Sequence, residues 1–271
     1  MLIDTHCHLN MMMKKKFDLP MMPDMINAAQ KIIGEASTWG VTRIINVGTS
    51  LVESQNGVLL AERFDTVWAT VGIHPNDATE KWKTDLQQLG ALLKGASRQK
   101  IVGIGECGID RHYPDYNLQR QYDVFKAQIE LALEHDLALV IHSRDAYDET
   151  LRLLEEYVKH EPRAVVHCFS YDKMFADQVT AWHFYVGLGG PITYPKNEEL
   201  RSIAKRLNLD HIVLETDAPF LPPQVIRGKQ NHPKYIKTIA EYLAEIREEP
   251  FQTLANTTTK NAMKLFNIEG E

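Results

Sequence analysis

The sequence has few cysteines and no long apolar run. Its three cysteines, Cys7, Cys107 and Cys168, include no Cys-x-x-Cys pair. An odd number at such spacing argues against a disulfide framework and favours a reducing compartment, so we expect a cytoplasmic protein. No run approaches the ~18 apolar residues of a membrane span. Asp4 and His6 interrupt the first apolar run, so we expect no secretory signal.

An excess of basic residues is also missing. The formal net charge of −6 at pH 7 argues against a protein that holds DNA through a broad basic surface. An anionic substrate would therefore have to be attracted locally. No low-complexity segment or Pro/Gly/Ser linker divides the chain, which predicts a single domain over residues 1–271. Such a chain can bury a large core, and nothing in it indicates an obligate protein partner.

Short runs rich in branched apolar residues recur along the chain. Their near-continuous apolar character predicts strands buried on both faces, as in a parallel sheet. The predicted strands are 1–6, 42–48, 67–73, 100–106, 137–143, 164–168, 184–190 and 211–216.

The segments between these runs have helical character. Apolar residues recur at helical spacing over 117–135, a stripe that would face the sheet. Ser50 and Glu53 form a predicted capping box in which the glutamate reaches back. Pro233 and Pro250 each suit a first helical turn. Strands and helices that alternate eight times in a chain of this length predict a (β/α)8 TIM barrel.

Imidazole and carboxylate groups stand at the ends of the predicted strands, where the chemistry of such a barrel gathers. One histidine at a strand end would usually be structural, but this many at one rim are hard to explain as packing. The groups are His6 and His8 on the first strand, His74 on the third, Glu106 on the fourth, His142 on the fifth, His167 on the sixth and Asp217 on the eighth.

The spacing of His6 and His8 suits a metal site. Side chains alternate along a strand, so both imidazoles point one way and Cys7 points the other. Imidazole suits zinc, manganese and iron, and carboxylates add affinity for harder ions. The cysteines are a rival set of ligands, because each directly follows a candidate ligand. Alternation turns them away from the barrel axis, so we interpret them as packing residues.

The candidate ligands outnumber the three or four protein ligands that one catalytic ion takes. They suit two ions about 3.5–4 Å apart that share one carboxylate, and Glu106 is placed to be that bridge. Such a centre generates hydroxide near neutral pH and clamps both oxygens of an in-line displacement. Its local positive charge could hold a phosphate despite the acidic composition.

Six motifs resemble those of the TatD-type metal-dependent deoxyribonucleases of the amidohydrolase superfamily. They are DTHCHL (4–9), GIHP (72–75), GECGID (105–110), IHSRDA (141–146), VHCFS (166–170) and LETDAPFL (214–221). In this order they are specific, although His-x-His alone is a weak signal.

The resemblance implies a ligand set and an activity. One ion would be held by His6, His8, Glu106 and Asp217, and the other by Glu106, His142 and His167. Asp217 would also take the proton from the attacking water. The family hydrolyses phosphodiesters in DNA with Mg²⁺, Mn²⁺ or, in some members, Zn²⁺. A narrow rim around a deep site favours a single-stranded or frayed 3′ end, because a stacked duplex could not reach the metals.

The sequence departs from the family pattern at two places. Tyr171 stands where the family usually has glycine, and the loop 10–24 is longer than usual. That loop contains Lys14, Lys15 and Lys16, which we interpret as a solvated run. Both departures concern substrate preference more than hydrolysis.

Substrate contacts are predicted from position at the rim. The candidates are His74, Arg111, His112, Arg227, Lys229 and Asn231, with a structural role or a solvated charged loop as the alternative. Asp4 is expected to hydrogen-bond the turn near His6 without binding metal.

Two other functions compete with a nuclease. The same barrel could hydrolyse a small ester, amide or phosphoester, but many such amidohydrolases bridge their metals with a carboxylated lysine where this chain has Glu106. A nucleic-acid-binding protein with an inactive metal site is the third hypothesis. Glu106 and Asp217 are both present, which argues against it.

Overall fold

Eight parallel strands form one sheet in chain order, as predicted. The computed structural model describes residues 1–14 and 16–268. The strands are β1 Leu2–Cys7, β2 Val41–Val47, β3 Val67–Val71, β4 Ile101–Asp110, β5 Ala138–Arg144, β6 Ala164–Val166, β7 Tyr185–Leu188 and β8 Ile212–Leu214. Each overlaps one predicted run, although β4 continues four residues beyond its predicted end.

Hydrogen bonds between the ends of β1 and β8 close the sheet into a barrel. The Asp217 N–H donates to the His6 carbonyl over 2.8 Å, and the His8 N–H donates to the Ala218 carbonyl over 2.7 Å. Cys7 and Ala218 also form a parallel bridge. The predicted (β/α)8 TIM barrel is therefore confirmed.

Helices alternate with the strands around the barrel. They are α1 Pro23–Thr38, α2 Leu51–Arg63, α3 Trp82–Leu92, α4 Leu118–Glu134, α5 Tyr147–Glu155, α6 Lys173–Ala181, α7 Glu198–Arg206, α8 Ile236–Arg247 and α9 Phe251–Phe266. In α4 the predicted stripe faces the core, where Phe125 and Ile129 are fully buried. Pro233 opens a short 3-10 helix before α8 as predicted, whereas Pro250 caps α9 one position before its first turn.

A cluster of apolar side chains fills the barrel interior. Ile3, Val102 and Val140 pack there with Leu265 and Phe266 of α9. Ile3 and Val102 are each the second residue of their strand. Helix α9 therefore covers the end of the barrel opposite the strands' carboxyl ends. Burial of each such side chain contributes about 1.5–3 kcal/mol. This packing leaves the carboxyl end open for a site.

The loop 10–24 contains more structure than its sequence indicates. Residues Met11–Met13 form a 3-10 helix and α1 begins at Pro23. The Lys14 ammonium lies 2.7 Å from the Glu53 carboxylate, with both side chains about 1% exposed. The predicted solvated run is thus wrong for Lys14, holds for the exposed Lys16, and at Lys15 lies outside the described residues.

The capping box of α2 is half confirmed. Ser50 Oγ accepts from the Glu53 N–H over 3.2 Å, as predicted. The Glu53 carboxylate instead accepts from the Asn10 amide over 2.5 Å and from the Asp18 N–H over 2.6 Å. The glutamate therefore holds the loop in place and does not reach back to the cap.

No helix among the described residues has the length and apolarity to cross a membrane.

Candidate metal centre

The barrel brings the six predicted ligands to one rim. His6 lies on β1, Glu106 lies on β4, and His142 lies on β5. His8 and His167 directly follow β1 and β6, and Asp217 lies in the loop that begins after Leu214, the last residue of β8. Five of the six are buried, and His142 is partly exposed.

Glu106 lies between two pairs of imidazoles. Its Oε2 atom is 3.4 Å from His6 Nε2 and 3.6 Å from His8 Nε2. Its Oε1 atom is 2.8 Å from His167 Nε2 and 2.9 Å from His142 Nδ1. Each carboxylate oxygen thus faces a different pair, which is the arrangement expected of a bridging ligand.

Asp217 completes the group around His6 and His8. Its Oδ1 atom lies 3.3 Å from His8 Nε2 and 3.6 Å from His6 Nε2. The hydrogen bond from its backbone N–H to His6 fixes it against β1. Asp217 also adopts a left-handed φ of 57°, a conformation that costs a non-glycine residue energy and is frequent at functional sites.

The donor atoms fit divalent metal ions. The Nε2 atoms of His6 and His8 approach to 3.2 Å, close enough for both lone pairs to meet one cation. The ligand atoms of His6, His8 and Glu106 lie within 4.8 Å of one another, as do those of Glu106, His142 and His167. Nitrogen and carboxylate donors suit zinc and manganese.

Both carboxylates are held in their ionised form. Burial alone would raise the pKa of Glu106, but the charge of His167 and the hydrogen bonds with His142 and His167 hold it well below its usual range. Burial also opposes ionisation of Asp217, yet the hydrogen bond with His8 and the charge of His6 lower its pKa. The centre therefore presents two buried anions to an incoming cation.

Asp110 is a functional candidate that the sequence reasoning missed. It is 1% exposed, and its Oδ2 atom lies 3.0 Å from His142 Nε2. It also accepts from the Asn76 amide over 3.0 Å and from the His112 N–H over 2.8 Å. The signal was available, because strand alternation places Asp110 on the same face of β4 as Glu106.

Glu215 and Asp4 support the neighbouring strands. Glu215 Oε1 accepts from the Cys168 N–H over 2.5 Å and lies 3.7 Å from His167 Nδ1. Asp4 accepts from the His6 N–H over 3.3 Å, which confirms the expected contact. It also accepts from the Thr216 N–H over 2.9 Å, and so links β1 to the end of β8.

The cysteines are free, and two of them pack as predicted. Cys7 and Cys107 are fully buried in the core. Cys168 departs from the prediction, because it is partly exposed and lines the cavity over the centre. Its φ of 45° shows why: the chain has left the regular strand, so alternation no longer sets its direction.

A cavity of about 700 Å³ opens over the centre. His74 lines it, with Nε2 3.5 Å from Glu106 Oε1 and Nδ1 accepting from the Asn76 N–H over 3.1 Å. Burial lowers the pKa of His74 to about 3, so the ring is neutral and Nε2 carries the proton. Tyr171 also lines the cavity, and its hydroxyl lies 2.8 Å from Ser143 Oγ.

The other predicted substrate residues lie outside the cavity lining. Arg111 pairs with Glu149, and Arg227 stacks over the Tyr194 ring at 4.1 Å. His112 Nδ1 lies 3.0 Å from Asp145, and Lys229 is exposed. A role for these four in substrate binding stays a prediction.

Asn231 is buried at 1% exposure, where it cannot meet a nucleic-acid backbone, so that prediction is wrong. Its side chain instead holds the loop after β8. Four cavity residues were missed, namely Phe17, Arg144, Lys196 and Phe220. Phe17, Lys196 and Phe220 come from loops with no periodic pattern, and Arg144 is the last residue of β5.

The closed barrel with clustered imidazole and carboxylate groups defines a metal-dependent hydrolase. A family model described as TatD related DNase matches residues 3–267, so the chain belongs to that family of ester-bond hydrolases.

Relatives in bacteria agree with this assignment. The chain is 34% identical over 268 residues to the uncharacterized metal-dependent hydrolase YabD of Bacillus subtilis, covering 99% of this chain and 100% of the relative. It is 33% identical over 245 residues to the 3'-5' ssDNA/RNA exonuclease TatD of Pectobacterium carotovorum, covering 88% and 93%. The structure of YjjV, a TatD homologue from Escherichia coli, matches with a TM-score of 0.88 at 30% identity, covering 99% and 98%.

Proposed function

We propose that this protein is a deoxyribonuclease that removes nucleotides from single-stranded or frayed 3′ ends with two divalent metal ions. The observation that carries the proposal is Glu106, whose two oxygens each face a separate pair of imidazoles at 2.8–3.6 Å. The name of the Pectobacterium relative, a 3'-5' ssDNA/RNA exonuclease, supports the substrate class and the polarity.

The chain supplies two ligand groups. His6, His8, Glu106 and Asp217 would hold one ion, and Glu106, His142 and His167 the other. When bound, Mg²⁺, Mn²⁺ or Zn²⁺ would act as a Lewis acid on the phosphodiester and lower the pKa of a water molecule.

Two side chains have roles in the proton transfers. Asp217 is ionised and 8% exposed, so its carboxylate can accept the proton of the attacking water. His74 Nε2 carries a proton, since Nδ1 is occupied as an acceptor. It can therefore donate a hydrogen bond to a phosphate oxygen near Glu106.

The cavity favours an unpaired strand. Glu106 and His167 are only 4% and 6% exposed, so a phosphate would reach them more readily from a flexible unpaired end than from within a stacked duplex. Arg144 and Lys196 line the cavity, and they supply local positive charge that the overall charge of −6 does not. A phosphate backbone is attracted by such cations.

Hydrolysis of an end-labelled single-stranded oligonucleotide tests the proposal. Metal-stripped protein would be assayed with each of Mg²⁺, Mn²⁺ and Zn²⁺, beside Asp217→Asn and Glu106→Ala. The exposed Met174, on the outer face of α6, gives the control Met174→Ala. We expect metal-dependent release from the 3′ end, lowered about 10²–10⁴-fold in Asp217→Asn and unchanged in the control.

Three outcomes would contradict the proposal. If folded, metal-loaded protein does not cleave the oligonucleotide, a small ester, amide or phosphoester becomes the favoured substrate. Strand binding without turnover would indicate a binding protein. Equal cleavage of closed circular duplex and linear single strands would contradict the preference for free ends.

A further inference from the structure

Two phenylalanine rings stand exposed at the mouth of the cavity. Phe17 is 48% exposed and Phe220 is 41% exposed, and both line the cavity over the metal centre. Their ring centroids are 6.4 Å apart with the planes at 78°. The Phe220 ring also contacts the ring of His8, at a centroid distance of 5.8 Å. Phe220 thus stands between a predicted metal ligand and Phe17.

The backbone beneath Phe17 is anchored, although the ring is exposed. Lys14 precedes Phe17 in the same loop and Asp18 directly follows it. The Lys14 ammonium and the Asp18 N–H both donate to Glu53, over 2.7 and 2.6 Å. The Ser50 hydroxyl bonds the Asp18 carboxylate. These contacts therefore hold the backbone at Phe17 beside the cavity. The exposed ring itself is not part of the hydrophobic core.

Phe220 is held in the same way. Its N–H donates to the Asp217 carbonyl over 2.7 Å, and its carbonyl accepts from the Asn231 side-chain amide over 2.7 Å. Since Asn231 also donates to the Thr216 carbonyl over 2.7 Å, the turn that carries Asp217 is the turn that positions the ring.

We propose that Phe17 and Phe220 form a stacking platform for an unpaired nucleobase of one of the two nucleotides that flank the scissile phosphate. This inference rests on the proposed nuclease function and names the part of the substrate that the cavity mouth would bind. Two rings at nearly a right angle form a corner, in which a planar base can stack on one ring and meet the edge of the other.

The surrounding charges favour a nucleotide over an uncharged aromatic ligand. Arg144 and Lys196 line the same cavity, and neither has an ion-pair partner within the part of the chain that the structure describes. Free cations beside exposed aromatic rings are the combination by which proteins bind single-stranded nucleic acid. Stacking tolerates any base, so the platform predicts little sequence preference.

The test compares strands with and without a base at each flanking position. We would measure kcat/KM for a full single-stranded oligonucleotide and for strands with an abasic residue at the terminal or the penultimate position. The proteins are the wild type, Phe17→Leu, Phe220→Leu and the conservative Phe220→Trp. The 50% exposed Tyr113, which does not line the cavity, provides the matched aromatic control Tyr113→Leu.

We expect one abasic position to lower wild-type kcat/KM about tenfold, with Phe220→Leu lowering cleavage of the full strand similarly. On that abasic strand the leucine variants should match the wild type. Phe220→Trp should retain discrimination, and Tyr113→Leu should behave as the wild type. Equal cleavage of full and abasic strands by the wild type would overturn the platform and leave the nuclease proposal standing. A loss in the leucine variants that is equally large on abasic strands would overturn it too.

Binding provides a readout that does not depend on turnover. Strands with 2-aminopurine at the flanking positions would be titrated with metal-stripped protein, because stacking quenches its fluorescence. Quenching in the wild type that is lost in the leucine variants supports the platform even where no strand is cleaved, an outcome that would reject only the nuclease proposal. No quenching in the wild type overturns the platform.

Discussion

The Nε2 atom of His142 lies 3.0 Å from Oδ2 of Asp110, while Nδ1 of the same ring lies 2.9 Å from Glu106. The carboxylate of Asp110 therefore accepts the Nε2 proton and leaves the Nδ1 lone pair directed at the centre. Carboxylates that hold a ligating imidazole in this way orient the ring and raise its basicity. Asp110 is thus a positioning residue for the second ligand group.

Loss of that carboxylate should weaken the second ion. We expect Asp110→Ala to lower the affinity for one of two bound ions about 10–100-fold and to leave the other nearly unchanged. Calorimetric titration of metal-stripped protein with Mn²⁺ or Zn²⁺ measures both affinities. Asp110→Asn, which keeps an acceptor for Nε2, should lose less. The exposed Asp145, which contacts His112, provides the control Asp145→Asn. If the affinity for both ions falls equally, the substitution has disturbed the structure generally, and Asp110 does not act by positioning His142.

The shared position of Glu106 predicts the number of ions that each variant retains. We expect about two ions per chain in the wild type. His167→Ala should lose the ion on its own side and retain the other. Glu106→Ala should weaken both, because each of its oxygens faces one ligand pair. Elemental analysis after dialysis against dilute Zn²⁺ gives the stoichiometry, and full retention of one ion by Glu106→Ala would contradict a bridging role.

The barrel and the ligand set were predictable because both depend on periodic patterns. Buried parallel strands are apolar throughout, and alternation alone places His6 and His8 on one side of β1. Asp110 was missed because the predicted strand ended at residue 106, whereas β4 continues to Asp110. The carboxyl ends of parallel strands meet at one rim of a barrel, so the ligands could be grouped before their distances were known.

Contacts between loops could not be predicted in the same way. Glu53 follows Ser50 at the spacing of a capping box, yet its carboxylate binds Lys14, 39 residues away. That choice depends on where the loop after β1 passes α2, which no local pattern specifies. Phe17 and Phe220 are 6.4 Å apart in space, but they come from opposite ends of the chain. Their pairing follows from barrel closure and loop path together.

The buried ion pair between Lys14 and Glu53 should stabilise the fold. Lys14→Met removes a charged hydrogen bond at 2.7 Å between side chains about 1% exposed, and we expect a loss of about 2 kcal/mol in the free energy of unfolding. Lys16 is in the same loop and exposed, so Lys16→Met should change stability by less than about 0.5 kcal/mol. Urea unfolding at neutral pH measures both variants, and equal losses would show that the ion pair contributes nothing specific.

The stabilisation by this ion pair should disappear in acid. Burial alone would raise the pKa of Glu53, but hydrogen bonds from Lys14 and Asn56 hold it below its usual value of 4.5. A carboxyl whose pKa is lower in the folded chain stabilises the fold above the unfolded pKa, and this contribution is lost as pH falls through the folded pKa. The difference in unfolding free energy between wild type and Lys14→Met should therefore be constant near neutral pH and shrink below pH 4.5. Urea unfolding of both proteins across this range measures it. A difference that stays constant into acid would assign the effect to packing of the lysine stem, because lost methylene contacts do not titrate.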